Sequence, residues 1–96
     1  MQESSTNIAV RGQLVCANEQ EAAAVLFNLP EHTRLTRAEP GCLKFTVTQS
    51  ADLLVFEVEE RFRDQEAFDA HQARLRGTTW WEATQKIHRS YEVTEE

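Results

Sequence analysis

Apolar residues along this chain switch between a period of two and a period near 3.6, in the order strand, helix, strand, strand, helix, strand. Each periodic segment has one apolar side that must be buried, so the order of periods limits the layer arrangements open to the chain. From residue 8 to 16, Ile8, Val10, Leu14 and Cys16 point one way and Arg11 and Gln13 the other. Gly12 falls on the apolar side, where a bulge or the close approach of another backbone is expected. Asn18 then reads as a helix cap with Glu21 reaching back to it. Ala22, Val25, Leu26 and Leu29 follow at helical spacing. Pro30 lacks an amide hydrogen and crowds the preceding turn, so a kink or restart is expected there, with a second stretch over 31–38. Pro40 and Gly41 mark a turn.

The second half repeats the pattern without repeating the sequence. Leu43, Phe45 and Val47 alternate with Lys44, Thr46 and Thr48 as a second strand, and 49–52 suits a hairpin loop. The third strand carries Leu54, Phe56, Val58 and Phe62 on one face and Val55, Glu57, Glu59 and Arg61 on the other. Asp64 is an N-cap for a helix to about Arg76, with Phe68, His71 and Leu75 as its stripe and Gly77 as its stop. Thr79 and Glu82 bracket Trp80 and Trp81 as a capping box for a short helix. Ile87, Tyr91 and Val93 share one side of the last strand, with His88 opposite. The order βαββαβ predicts an α+β, ferredoxin-like antiparallel sheet with its helices on one face. Residues 1–7 are expected to be a flexible N-terminus, 8–93 the domain and 94–96 a tail. The second sheet face is only partly polar, so a second copy of the chain, packed sheet against sheet, is expected to cover it.

Composition narrows the classes of function. The 96 residues suffice for one domain, and a formal charge of −6 with no Lys/Arg cluster argues against nucleic acid as a partner. No apolar run approaches the roughly 18 residues of a membrane span. The first residues show no basic segment followed by an apolar stretch, so a secretory signal is not expected. Cys16 and Cys42 have neither CxxC spacing nor a His at ligand distance, and read as small hydrophobes. With three His and no paired acidic ligands at helical or strand spacing, no metal centre is expected. A reduced, cytoplasmic setting follows.

Three segments together carry a resemblance: Arg37-Ala-Glu-Pro-Gly-Cys-Leu43 before a strand, Phe56-Glu-Val-Glu-Glu-Arg-Phe62 with Asp64 after it, and Phe68-Asp-Ala-His71. In that combination the chain resembles the antibiotic biosynthesis monooxygenase family, which includes quinol monooxygenases, over about residues 8–93. The resemblance implies a homodimer whose two sheets form a shared α/β-barrel, with a cavity between sheet and helices in each subunit. It also implies oxidation of a small electron-rich phenol or quinol by dioxygen without metal or flavin. Deprotonation of such a substrate yields an anion able to give an electron to oxygen, so a base, a dry pocket and polar anchors suffice. Relatives of the same fold degrade haem or isomerise a phosphorylated metabolite, so fold alone does not settle the reaction. The passage between Gly77 and Ile87 is shorter than in many family members, which predicts a small cavity or one open at an end.

The candidate residues follow from the faces they occupy. His71 shares a helical face with Phe68 and Leu75 and should point at the sheet, as a base or hydrogen-bond donor. The alternative is a core His satisfied by a carboxylate or carbonyl. Glu60 lies on the face of Phe56, Val58 and Phe62, where a carboxylate needs a partner. His71 or an Arg is the expected one, with Glu60 orienting the imidazole. Trp80, Phe45, Phe62 and Tyr91 are expected to wall the substrate cavity, or simply to fill the core. Trp80 and Trp81 diverge on their helix and sequence does not choose between them. His32 reads as surface, on a polar segment after Pro30. The competing functions are a non-catalytic dimeric module that binds a small ligand, and a proton-transfer isomerase. An enclosed apolar cavity containing His71 favours the enzyme, and a filled core favours the module.

Overall fold

Four strands form one antiparallel sheet in the order β2-β3-β1-β4, the ferredoxin-like arrangement. The computed structural model of the chain describes residues 6–96, so most of the terminus expected to be flexible lies outside the described residues. The elements are β1 (Ile8–Val15), α1 (Glu19–Arg37), β2 (Cys42–Gln49), β3 (Val55–Phe62), α2 (Gln65–Leu75), α3 (Thr79–Thr84) and β4 (His88–Glu95). The Asn7 carbonyl accepts from Glu96 N at 2.7 Å, and residues 94–96, set apart above as a tail, continue the pairing of β4 with β1. No helix among the described residues is long and apolar enough to cross a membrane.

Helix ends follow local chemistry closely. Asn18 Oδ1 accepts from Glu21 N at 2.9 Å, and Glu21 reaches back to Ala17 N at 2.7 Å, one residue before the cap. Asp64 Oδ1 accepts from Ala67 N at 2.8 Å. The cap of α3 is Thr78, whose hydroxyl accepts from Trp81 N at 3.2 Å, one residue earlier than the expected Thr79. These bonds satisfy amides that a helix start otherwise leaves without partners.

Two expectations about α1 are corrected. Neither break nor restart occurs at Pro30, and one helix of 19 residues runs through it. Its buried residues are Ala22, Val25, His32 and Thr36, while Leu26 is half-exposed and Phe27 mostly exposed. The inward stripe is therefore rotated away from Leu26 and extended by two turns that carry His32 and Thr36 beneath the helix. In β2, the pairing skips Leu43, since Cys42 faces Phe62 and Lys44 faces Arg61. This irregularity turns Leu43 outward, off the face expected for it.

Sheet register distributes the inward side chains in rows. Leu14 and Phe56 stand opposite each other, in a core with Val25, Val58, Trp80 and Ile87. Two rows further along, Phe45, Glu60, Val10 and Val93 lie side by side across all four strands. Glu60 thus sits between apolar neighbours, on a row that is buried except at Val93 on the edge strand. Between these rows stands Gly12, and a Cβ there would run into the Ser90 carbonyl oxygen and lie 2.8 Å from Tyr91 Cα. The expected close approach is real, and β1 keeps unbroken register without a bulge. The outer face is more polar than expected. Arg11, Lys44 and Glu59 pair across strands, and Glu96 bonds both Arg11 and Arg61.

Candidate active site

Beyond the packed core, the space between sheet and helices stays open as a cavity of about 190 Å3. Its floor is the row of Phe45, Glu60, Val10 and Val93, with Val47, Tyr91 and Arg89 beside it. From above, α1 contributes His32, α2 contributes Phe68, His71 and Leu75, and α3 contributes both Trp80 and Trp81. An apolar cavity of roughly 150 Å3 already takes a benzene ring, so the space suits a one-ring ligand.

His71 is held from outside the cavity. Its ring is 2% exposed, and Nδ1 lies 3.0 and 3.2 Å from the two carboxylate oxygens of Glu39, in the loop before β2. Arg74, one turn along α2 from His71, donates to Glu39 at 2.6 Å and to the Thr36 hydroxyl at 3.1 Å. With Nδ1–H donating to a carboxylate, Nε2 carries the lone pair. Burial lowers the His71 pKa, opposed by Glu39, so the ring is neutral and able to accept a proton. The Glu39 carboxylate stabilises the imidazolium that results, as in other oriented His dyads.

Glu60 does not hold His71; Glu39 does. Sequence reasoning assigned that role to Glu60 because it shares the buried sheet face, whereas Glu39 reaches the ring from a turn. Glu60 is 9% exposed, and among the described residues no hydrogen bond reaches its carboxyl. Burial, reinforced by Glu39 and opposed by Arg89, pushes its pKa up to about 7. Near neutral pH it can therefore give or take a proton.

The aromatic residues divide by position. Phe45, Trp80 and Tyr91 line the cavity. Phe62 is fully buried behind it, 4.9 Å from the His71 ring and 5.7 Å from Phe68. Both tryptophans line the cavity, and Trp81 carries the Arg89 guanidinium 5.2 Å above its ring. That guanidinium also donates to Thr84 and to the Ile87 carbonyl, which fixes the end of α3 against β4. The Tyr91 hydroxyl is pushed up to about 12, chiefly by burial, so it stays a neutral phenol.

His32 is the clearest correction. Read as surface, it is 4% exposed and stacks flat on Trp80, with ring centres 4.4 Å apart and 2° between planes. Helical spacing from Val25, seven residues earlier, was the available signal; the expected break at Pro30 hid it. Glu39 lay in one of the segments that carry the family resemblance, beside the Pro40-Gly41 turn, with no role of its own assigned to it. Arg74 had no comparable sequence signal, because it acts on Glu39 and Thr36 from a distant element; Arg89 had none because its bonds to Thr84 and Ile87 depend on how the chain turns from α3 into β4.

A family model described as antibiotic biosynthesis monooxygenase matches residues 8–90. SnoaB, a cofactor-independent oxygenase from Streptomyces nogalater, superposes with a TM-score of 0.77 at 11% identity, over 94% of this chain and 92% of its own. A protein from Pseudomonas aeruginosa reaches 0.73 at 22% identity, over 99% and 96% of the two chains. A dimeric ferredoxin-like protein from an uncultured marine organism reaches 0.70 at 13%, over 96% of each. At such identities the likeness is one of fold. No curated protein shows significant sequence similarity to the chain.

Proposed function

The chain belongs to the antibiotic biosynthesis monooxygenase family, and from that premise we propose that it oxidises a small phenol or quinol with dioxygen, without a cofactor. One observation carries the reading: a neutral, oriented imidazole at a largely apolar cavity sized for one ring. The likeness in fold to a cofactor-independent oxygenase supports it. A filled core would have favoured a module without chemistry.

His71 takes the proton of the ring hydroxyl and becomes an imidazolium facing Glu39. The phenolate gives one electron to dioxygen, and the phenoxyl radical and superoxide recombine at a ring carbon bearing hydrogen. His71 returns its proton to the peroxide, giving a hydroperoxide. Glu60 takes the hydrogen from that carbon as a proton, the O–O bond breaks, and the proton leaves with hydroxide as water. One oxygen atom ends as a ring carbonyl and the other in water, so the product is a quinone. The cavity opens to solvent beside Tyr91 and Val93 of β4, and in this reading the bound ring fills it against bulk water, which keeps the anion reactive and the peroxide from escaping.

The working unit in this reading is a homodimer joined through the outer sheet face. A relative of the same fold is described as dimeric. That face carries a shallow trough lined by Arg11, Gln13, Thr46, Thr48, Glu57 and Glu59, where charges of both signs among neutral polar groups suit a self-complementary contact.

Oxygen uptake with a panel of monocyclic hydroquinones and phenols tests the activity. Wild type should consume oxygen with at least one of them, and His71→Ala should lose nearly all of the rate. No uptake across the panel by folded protein would defeat the reading.

A further inference from the structure

Packing alone does not account for His32. The ring fills a slot between Trp80, on which it lies flat at 4.4 Å, and Phe45, which it meets edge-on at 5.2 Å. A phenyl ring would fill the same slot. The imidazole instead places a buried Nδ1 there, with no hydrogen-bond partner among the described residues. A buried nitrogen left unpaired is costly, so an imidazole in this place calls for a gain beyond packing.

The surroundings also set what the ring can do. Burial first, then the charge of His71 on α2 whenever that ring is protonated and the standing charges of Arg74 from α2 and Arg89 from β4, hold His32 down to about 3. Glu60 from β3 and Tyr91 from β4 line the same cavity, and the neighbours from β2 and α3, Phe45 and Trp80, are uncharged. His32 is thus a neutral imidazole with one N–H to donate, which it does not lose to an anion. The His71 ring centre lies 6.2 Å away, with 44° between the planes. One oxygen atom hydrogen-bonded to both rings spans such a gap.

We propose that His32, whose ring lines the cavity, donates its ring N–H to the hydroxyl oxygen whose proton His71 removes, and so holds the oxyanion that forms. The assignment rests on the reading of His71 as the base. It makes the cavity selective for a ring hydroxyl over a ring amine or hydrocarbon, because only the hydroxyl yields an anion for His32 to hold. A donor that meets developing charge inside a dry site, without having to reorient, is an effective way to favour the anion.

The dye para-nitrophenol tests this without turnover, because its phenolate absorbs apart from the phenol. Bound to wild type under nitrogen, the dye should ionise at lower pH than in free solution. His32→Phe keeps the stack and should cancel that shift, weakening phenolate binding by about tenfold or more. His32→Gln retains a donor and should keep part of the effect. In wild type, the ring N–H proton of His32 should move strongly downfield in the NMR spectrum when the dye binds; this decides the matter should His32→Phe not fold. A dye that ionises alike in wild type and His32→Phe, or a His32 ring N–H proton that ignores the dye, overturns the proposal. Ionisation as described, without oxygen uptake from any hydroquinone, leaves the role of His32 standing and removes only the oxygenase reading.

Discussion

His71 on α2 and Glu39, 32 residues earlier in the loop before β2, meet at 3.0 Å, with Arg74 gripping the same carboxylate at 2.6 Å. The contact joins the two halves of the fold at the mouth of one buried imidazole. Replacing the carboxylate by an amide in Glu39→Gln keeps the shape but removes the charge that stabilises the imidazolium. Turnover should fall by roughly a hundredfold or more, the scale of general-base catalysis. The melting temperature should fall as well, since a partly buried charge-assisted hydrogen bond contributes about 1.5–3 kcal/mol. Unchanged oxygen uptake in Glu39→Gln would remove His71 from the chemistry.

Acid and base act on this fold through opposed buried groups. His32 is lowered from 6.5 to about 3, so the unfolded chain binds its proton first and stability falls as pH drops below about 6.5. His71 is lowered too and adds to that slope. Glu60 is raised from 4.5 to about 7, so the unfolded chain releases its proton first and stability falls as pH rises through that window. Each full slope is about 1.4 kcal/mol per pH unit. Between about 4.5 and 6.5 the two signs oppose each other in the wild type. Glu60→Gln removes one of them, so its urea midpoint should climb with pH in that window more steeply than the wild-type midpoint. Parallel profiles would contradict a protonated, buried Glu60.

Gly12→Ala tests whether the backbone contact with β4 shapes the cavity. The new methyl group would press on the Ser90 carbonyl oxygen and on Tyr91 Cα. Overpacking of this kind costs roughly 1–3 kcal/mol, and the strain falls on the strand carrying Arg89, Tyr91 and Val93. Urea denaturation should show the loss, and amide exchange should speed up first in β4. Wild-type exchange rates throughout β4 would mean that the strand yields freely there.

The assembly has its own signature. Sedimentation at micromolar concentration should give twice the chain's 11.0 kDa. Arg11→Glu places like charges beside Glu59 and Glu96 on the outer face and should shift the mass toward one chain. A wild-type monomer at that concentration would defeat the sheet-to-sheet dimer.

The order of elements, the inward face of β3, the caps at Asn18 and Asp64 and the burial of His71 were all legible in the sequence. Each depends on interactions within a few residues or on a period that every turn repeats. The close approach at Gly12 was legible for a related reason, since a missing side chain on an apolar face marks a place where something must pass. What sequence could not supply was partnership. Glu39 and Glu60 are both carboxylates near a buried face, and only the path of the loop before β2 brings Glu39, and not Glu60, to His71 Nδ1.

The same division separates the two histidines. Local pattern determined that His71 turns inward, because Phe68 and Leu75 share its stripe. For His32, local pattern pointed outward, because Pro30 suggested a break and its neighbours are polar. Tertiary structure decided otherwise: α1 continues through Pro30 and Trp80 arrives from α3 to cover the ring. Periodicity reports which way a side chain faces along its own element, whereas a site depends on which elements meet. That is settled by the global packing of sheet and helices, where burying Trp80 and Phe45 together outweighs the polar character of one helical turn.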